Sequence, residues 1–197
     1  LFDESQSYIL QARQNTLTNR DSCLLGLLYR QNMHSRNETY EGEQVSEIEQ
    51  ACTSANERLA LAFMTALDAQ LLESKQQHAA AYALLQDGLA AAEQSKYPRL
   101  IADYYLGLAR TSYALKEVTS ATLYLDKIHA MNQSLGFSMP LVRSYELQTQ
   151  IAEESNDISR ALKFHKLFLK ADRSLLDSRS EQQIAYHLAK GELLKKN

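Results

Sequence analysis

Ala81, Ala121 and Ala161 stand forty residues apart, and the residues after them repeat in kind: "AYALLQDGLAAA", "ATLYLDKIHAMN" and "ALKFHKLFLKAD". Three positions after each alanine come Leu84, Tyr124 and Phe164; four positions after come Leu85, Leu125 and His165. Later in the period Tyr97 matches Phe137, Ile101 matches Leu141 and Tyr105 matches Tyr145. A small residue followed by large ones at three, four and seven is the face of a helix lying close against a neighbour. A fixed period of this length is the signature of stacked helical units.

The breaks recur as well. "SKYPRL" (95–100) and "LGFSMP" (135–140) each place a proline just before an amphipathic run, where it suits a helix's first turn. "ALKEVTS" (114–120) and "EESNDIS" (153–159) sit at matching places, and Asn156 or Asp157 is suited to cap the next helix. The unit reads as helix, short turn, helix, longer turn. Before the clear repeats, "ERLALAFMTALDAQLLES" (57–74) is a first helix, with Val45 and Ile48 in apolar columns ahead of it. "DSCLLGLLYRQNMHS" and "EGEQVSEIEQACTSA" read as a further hairpin turning near residue 37. With only 6 Gly and 2 Pro in 197 residues, an all-β fold lacks its turns. The expectation is an all-α chain, a right-handed α-solenoid of four to five helical hairpins with an extended C-terminal helix.

A small residue, three others and a large one, with an aromatic about fifteen positions earlier, resembles the tetratricopeptide repeat. Tyr105, Ala109, Ala121 and Leu125 carry the match, and more loosely Tyr145, Ala152, Ala161 and His165, over roughly residues 57 to 176. The period is forty instead of 34, and Gly107 has no counterpart one unit later, so longer repeats of the HEAT type stay open. "ALKFHKLFLKADRSLLDSRSEQQIAYHL" further resembles the last repeat in extracytoplasmic sensor regions of bacterial signalling proteins. Ala161, Leu162, Phe164, His165, Lys170, Asp172, Ser174, Leu175, Ile184 and Leu188 carry that likeness. It implies a sensor domain over 1–176 and a capping or output helix over 177–197. That helix would lead to a membrane span and an output module beyond it, a diguanylate cyclase (GGDEF) first, or a histidine kinase. It also implies a periplasmic location. A cytosolic tetratricopeptide adaptor, the peptide-sensing part of a transcription regulator, or a structural scaffold are the competing readings.

The tail itself carries Ile184, Leu188, Leu193 and Leu194 on a narrow stripe, and Ser178 with Glu181 forms a capping-box pattern that would start or restart a helix. A polar cap for the last unit and a lever for a signal fit it equally. "LFDESQ" lacks an initiator Met and reads as a processed or trimmed start.

By register, the first helices present Gln70, Glu73, Asp103, Arg110, Tyr113, Arg143, Glu146 and Gln150 on the inner, concave surface of such a solenoid. Mixed charge with an aromatic suits a peptide, a protein segment or a small polar ligand; a solvated face is the bland reading. Cys23 and Cys52, the two cysteines, fall at similar heights on the first hairpin, so either a disulfide or two small buried residues fits. A bridge would point to an oxidising compartment. His34, His78, His129, His165 and His187 show no i,i+4 pair, and His165, in an apolar column, reads as a packed histidine. No phosphate loop or nucleophile motif occurs, so the expectation is no catalytic residue, no metal and no cofactor in this region. A net charge of −3 gives no broad attraction to nucleic acid. Membrane contact is expected only through a span downstream of these residues. A homodimer is compatible with the signalling reading.

Overall fold

A computed structural model describes the backbone of residues 18–36, 38, 43–136 and 138–195, and the side chains within them except at 43, 44, 179, 182 and 184–195. Among the described residues all regular structure is helical. The elements are α1 (Asn19–Ser35), α2 (Glu43–Ser54), α3 (Arg58–Ser74), α4 (His78–Gln94), α5 (Pro98–Ala114), α6 (Val118–Ala130), the four-residue α7 (Asn132–Leu135), α8 (Met139–Glu154) and α9 (Ile158–Lys195). The chain is all-α.

What ends the helices is more regular than the forty-residue period. Asn56, Gln76, Lys96, Lys116 and Asn156 have φ between 54° and 68°, and Gly136, at 53°, fills the remaining place in a twenty-residue series. Asn56, Gln76, Lys116 and Asn156 close their helices in the same way. The N–H of Gln76 donates to Glu73 O at 2.9 Å and that of Gln77 to Leu72 O at 2.9 Å; Lys116 and Glu117 bond Tyr113 and Ser112 alike, at 3.0 and 2.8 Å. A left-handed residue with these two back-bonds satisfies carbonyls that a helix end leaves orphaned. The expected long turn between units is absent at 55–57 and 95–97, which have three residues like the short turns within hairpins at 75–77, 115–117 and 155–157. The exception is 131–138. There Gly136, with ψ at −148°, occupies a region essentially confined to glycine, and the link carries the extra turn α7. Pro98 and Pro140 lie in the first turns of α5 and α8, and the Asp157 carboxylate accepts the Arg160 N–H at 3.0 Å to cap α9.

Each main helix packs on the next, α6 reaching α8 past the short α7, and the first helix of one hairpin also packs on the first helix of the next: α1 on α3, α3 on α5, α5 on α8. Helices further apart make no comparable contact among the described residues. The repeated columns are where they touch. Ala81, Ala121, Leu85 and Leu125 are fully buried, and Tyr105, Tyr124, Tyr145, Ala109 and Ala152 are buried with them. Tyr82 is half-buried. Tyr104 of α5 runs past Gly88 of α4, and its hydroxyl donates to Ala62 O of α3 at 3.0 Å, tying three helices through one side chain. His129 of α6, Tyr145 of α8 and Phe164 of α9 form a three-ring cluster, with the imidazole 4.7 and 5.6 Å from the other two rings and those two 6.4 Å apart.

Gly107 decides how closely α5 approaches α4. A Cβ there would lie 2.6 Å from Leu85 Cδ1. In Gly107→Ala the gain in helix propensity, about 1 kcal/mol, offsets a small shift of the leucine tip, so stability should stay near that of the native chain. Gly107→Val has no such offset and should lose about 1–3 kcal/mol by overpacking. Urea midpoints measure both; equal losses in the two variants would contradict the close approach.

Two expectations on α9 are corrected. The helix does not restart at Ser178 but runs unbroken for 38 residues, on the order of 57 Å at 1.5 Å per residue. A serine with a glutamate three residues on caps a helix only where the backbone ahead is not already helical. His165 is exposed, whereas Leu85 and Leu125 in its column are buried. That column is covered by the helix that follows, and no described helix follows α9. The same open edge leaves Ile158, Leu162, Leu169 and Leu176 at 81%, 53%, 53% and 54% exposure. The last buried side chain of α9 among the described residues is Leu175. Phe137 and the side chains of Ile184 and Leu188, which carried part of the sequence reading, lie outside the described residues.

Candidate functional site

The first helices α1, α3, α5 and α8 lie side by side, so residues forty apart on them fall along one face. Arg30, Gln70, Arg110 and Gln150 form such a column. At its start Arg30 is fully buried and holds Glu49 of α2 and Asp68 of α3, each at 2.9 Å. This is a cross-link between three helices. Next along the face, Gln70 lies against His34 of α1, whose pKa burial pushes down. Then comes Glu73, with a side chain only 5% exposed. Its Oε2 forms an ion pair with Arg110 Nη2 at 2.8 Å, and its Oε1 is buried with no hydrogen-bond partner among the described residues. Burial pushes the Glu73 carboxyl up to about 7, against the pull of Arg110. Gly107 of α5 borders this carboxylate: a Cβ there would stand in ordinary contact, 3.6 Å from Oε1.

Beyond Arg110 the face opens into a cleft of about 400 Å³ between α5 and α8, lined by Arg110, Arg143, Glu146, Leu147 and Gln150. Arg143 Nη1 donates to Glu146 Oε2 at 2.6 Å across one helical turn, both side chains about half exposed. Such an exposed pair is worth about 0–1 kcal/mol and is readily re-partnered. At the cleft's edge the Tyr113 hydroxyl donates to the Glu154 carboxylate, with Gln150 beside it. Burial, with Glu154, raises the Tyr113 pKa to about 12.

Of the eight residues read from the register, Arg110, Arg143, Glu146 and Gln150 line this cleft; Glu73 stands behind Arg110 and Tyr113 beside Gln150. Gln70 belongs to the neighbouring step with His34. Asp103 does not join them. It sits two turns before Arg110 on α5 and pairs with Arg99 at 3.1 Å, its pKa raised by burial. Leu147, Glu154 and His34 were not anticipated. Leu147 and Glu154 were within reach, because 143, 147, 150 and 154 continue one face of α8 at helical spacing.

Cys23 of α1 and Cys52 of α2 are joined by a disulfide, with Cα atoms 4.6 Å apart. A second cleft, of about 410 Å³, lies at the open edge against Glu153, Ile158, Ala161, Leu162 and His165. Among the described residues no group of three or more His, Cys, Asp or Glu is placed to hold a metal, and no helix is long and apolar enough to cross a membrane. The α5–α8 cleft gathers forked guanidinium donors, a carboxylate, an amide and an apolar wall, which is the chemistry of recognition. The chain matches no protein-family model, and neither a curated protein nor a solved structure is significantly similar to it.

Proposed function

We propose that the chain is a right-handed α-solenoid of tetratricopeptide-like hairpins serving as the extracytoplasmic sensor region of a bacterial membrane signalling protein. The first-helix face is its concave ligand surface. The residues act by binding and not by catalysis, and α9 carries the outcome to a C-terminal output module, a diguanylate cyclase in the first instance. One observation carries the reading. α8 supplies Arg143, Glu146 and Gln150 to the cleft and packs on α9, whose backbone continues unbroken for twenty residues past Leu175, its last buried side chain among the described residues. A ligand that drew α5 and α8 together would bear on α9 through the packing of α8 against it. Such a ligand shifts output only through a difference in affinity between two arrangements of those helices. Packing between near neighbours alone supports the stacked architecture, and the disulfide supports an oxidising location.

The natural reading frame around these residues tests this. A signal peptide upstream and an apolar span of about 20 residues downstream, followed by a cyclase or kinase module, are the expected finding. A frame that ends at Asn197, or a helix-turn-helix beside it, would overturn the sensor assignment.

A further inference from the structure

We infer that the α5–α8 cleft takes a free α-amino acid with an aliphatic side chain, its carboxylate across Arg110 and Arg143 and its ammonium against Glu146. The inference rests on the reading of the first-helix face as the ligand surface, and it names what that surface recognises. Three features of the cleft select this class.

The first is the arrangement of charge. Arg143 and Glu146 sit side by side, one turn apart on α8. A neighbouring plus and minus is complemented by a neighbouring minus and plus, which is what an α-amino acid presents across a single carbon. A simple cation would face two guanidiniums, and a dicarboxylate would face Glu146. The pair is exposed and weakly held, so a zwitterion can insert without leaving either partner unsatisfied.

The second is the second guanidinium. Arg110 comes from α5, one hairpin away, and reaches the cleft half exposed, anchored from below by the buried Glu73. Only Nη2 is held by that carboxylate, and a guanidinium has five donors, so the rest of the fork remains for a ligand carboxylate. Fixing one end of Arg110 on a buried group limits the freedom it loses on binding. The ligand carboxylate then bridges two hairpins, which couples occupancy to their spacing.

The third is size and lining. A cleft of about 400 Å³ lies at the small end of ligand pockets, suited to one residue and not to an extended peptide. Leu147 supplies an apolar wall for the side chain, and the Gln150 amide serves either end of the zwitterion.

Thermal-shift and calorimetric titrations of the disulfide-intact chain test this with the twenty L-amino acids, 4-methylpentanoate (leucine without its amine) and 3-methylbutylamine (leucine without its carboxylate). Leucine-like amino acids are expected to bind, with both truncated analogues at least tenfold weaker. Arg143→Gln is expected to weaken leucine at least tenfold with an unchanged circular dichroism spectrum, because Arg143 is half exposed. Arg99→Gln, outside the cleft, should bind as the native chain does. The inference falls if no amino acid binds at 10 mM, if 4-methylpentanoate equals leucine, or if Arg143→Gln changes nothing. A peptide or plain anion that binds through Arg143 while amino acids do not would remove the zwitterion and keep the ligand face. An amino acid that binds without changing hydrogen exchange in α9 would remove the sensor reading and keep the zwitterion.

Discussion

Replacing Cys23 and Cys52 together with alanine is expected to cost about 3–4 kcal/mol, and to melt the α1–α2 hairpin before the rest. The bridge spans 29 residues, and closing a loop of that length removes about 3.6 kcal/mol of unfolded-chain entropy in the loop-closure account. The location matters as much as the size. Cys23, Ile48, Cys52, Ala60 and Met64 form a small cluster of their own, separate from the large core that runs from Ala62 to Leu175. The hairpin's other ties include the close approach of Gly26 to Ile48, the ion pairs of Arg30, the Arg20–Glu57 pair and the contact of His34 with Gln70. With the bridge gone, hydrogen-exchange protection in α1 and α2 should fall steeply, while α5 and α8 keep theirs. The midpoint of thermal unfolding should drop by roughly 10 °C, at about 2–4 °C per kcal/mol for a chain this size. Identical midpoints for the oxidised chain and the double variant would mean that the bridge contributes nothing. Intact material with two titratable thiols would mean that it does not form, and would remove the support it gives to an oxidising location.

The forty-residue period was legible because Ala81, Ala121 and Ala161 all lie at helix contacts, where no larger residue fits. The twenty-residue series of turns was not. Its left-handed residues are Asn56, Gln76, Lys96, Lys116 and Asn156. Gly136 advertises such a conformation in sequence, and Asn56 and Asn156 tolerate it; Gln76 and Lys116 are held there by the two back-bonds of the helix end, at a local cost of about 1–2 kcal/mol each. Successive helices also bury different faces, so a comparison of side chains finds the pair and misses the single helix. His165 shows a related limit: a column predicts burial only where another helix follows to cover it.

The site was partly legible for the same reason. Register alone brought Arg110, Arg143, Glu146 and Gln150 together, since adjacent first helices share a face. Asp103 occupies the same column as Arg143 but one hairpin earlier, where its partner is Arg99 on its own helix. Arg30 shares a column with Arg110 yet serves the core, because Glu49 and Asp68 flank it. Column membership fixes where a side chain starts. Its partners on other helices, which the period does not encode, fix what it does.

Glu73→Gln is expected to stabilise the folded chain at pH 8 by about 3 kcal/mol, and to leave it nearly unchanged at pH 4.5. Burial holds the native carboxyl's pKa at about 7, against 4.5 for an unhindered glutamate. Below 4.5 both folded and unfolded chains carry the proton, and the group adds no pH dependence. Between 4.5 and 7 the unfolded chain releases it and the folded chain keeps it, so this contribution to stability falls as pH rises. Above 7 the folded chain bears the whole cost of a buried carboxylate, about 1.4 kcal/mol for each pH unit between the two values. Glutamine fills the same space, carries no charge, and leaves Arg110 half exposed to water, so it removes the slope at little cost. His34 and His129 act in the opposite sense: burial lowers their pKa values, and the unfolded chain takes up protons first as pH falls below 6.5. The raw profile is therefore a sum of opposing slopes, and the difference between variant and native isolates Glu73. Urea midpoints at pH 4.5, 6, 7 and 8 should give a difference that widens steadily from the first to the last. Parallel profiles would mean that Glu73 ionises as a surface carboxylate does, and that Arg110 is held by an ordinary ion pair and not by a desolvated one.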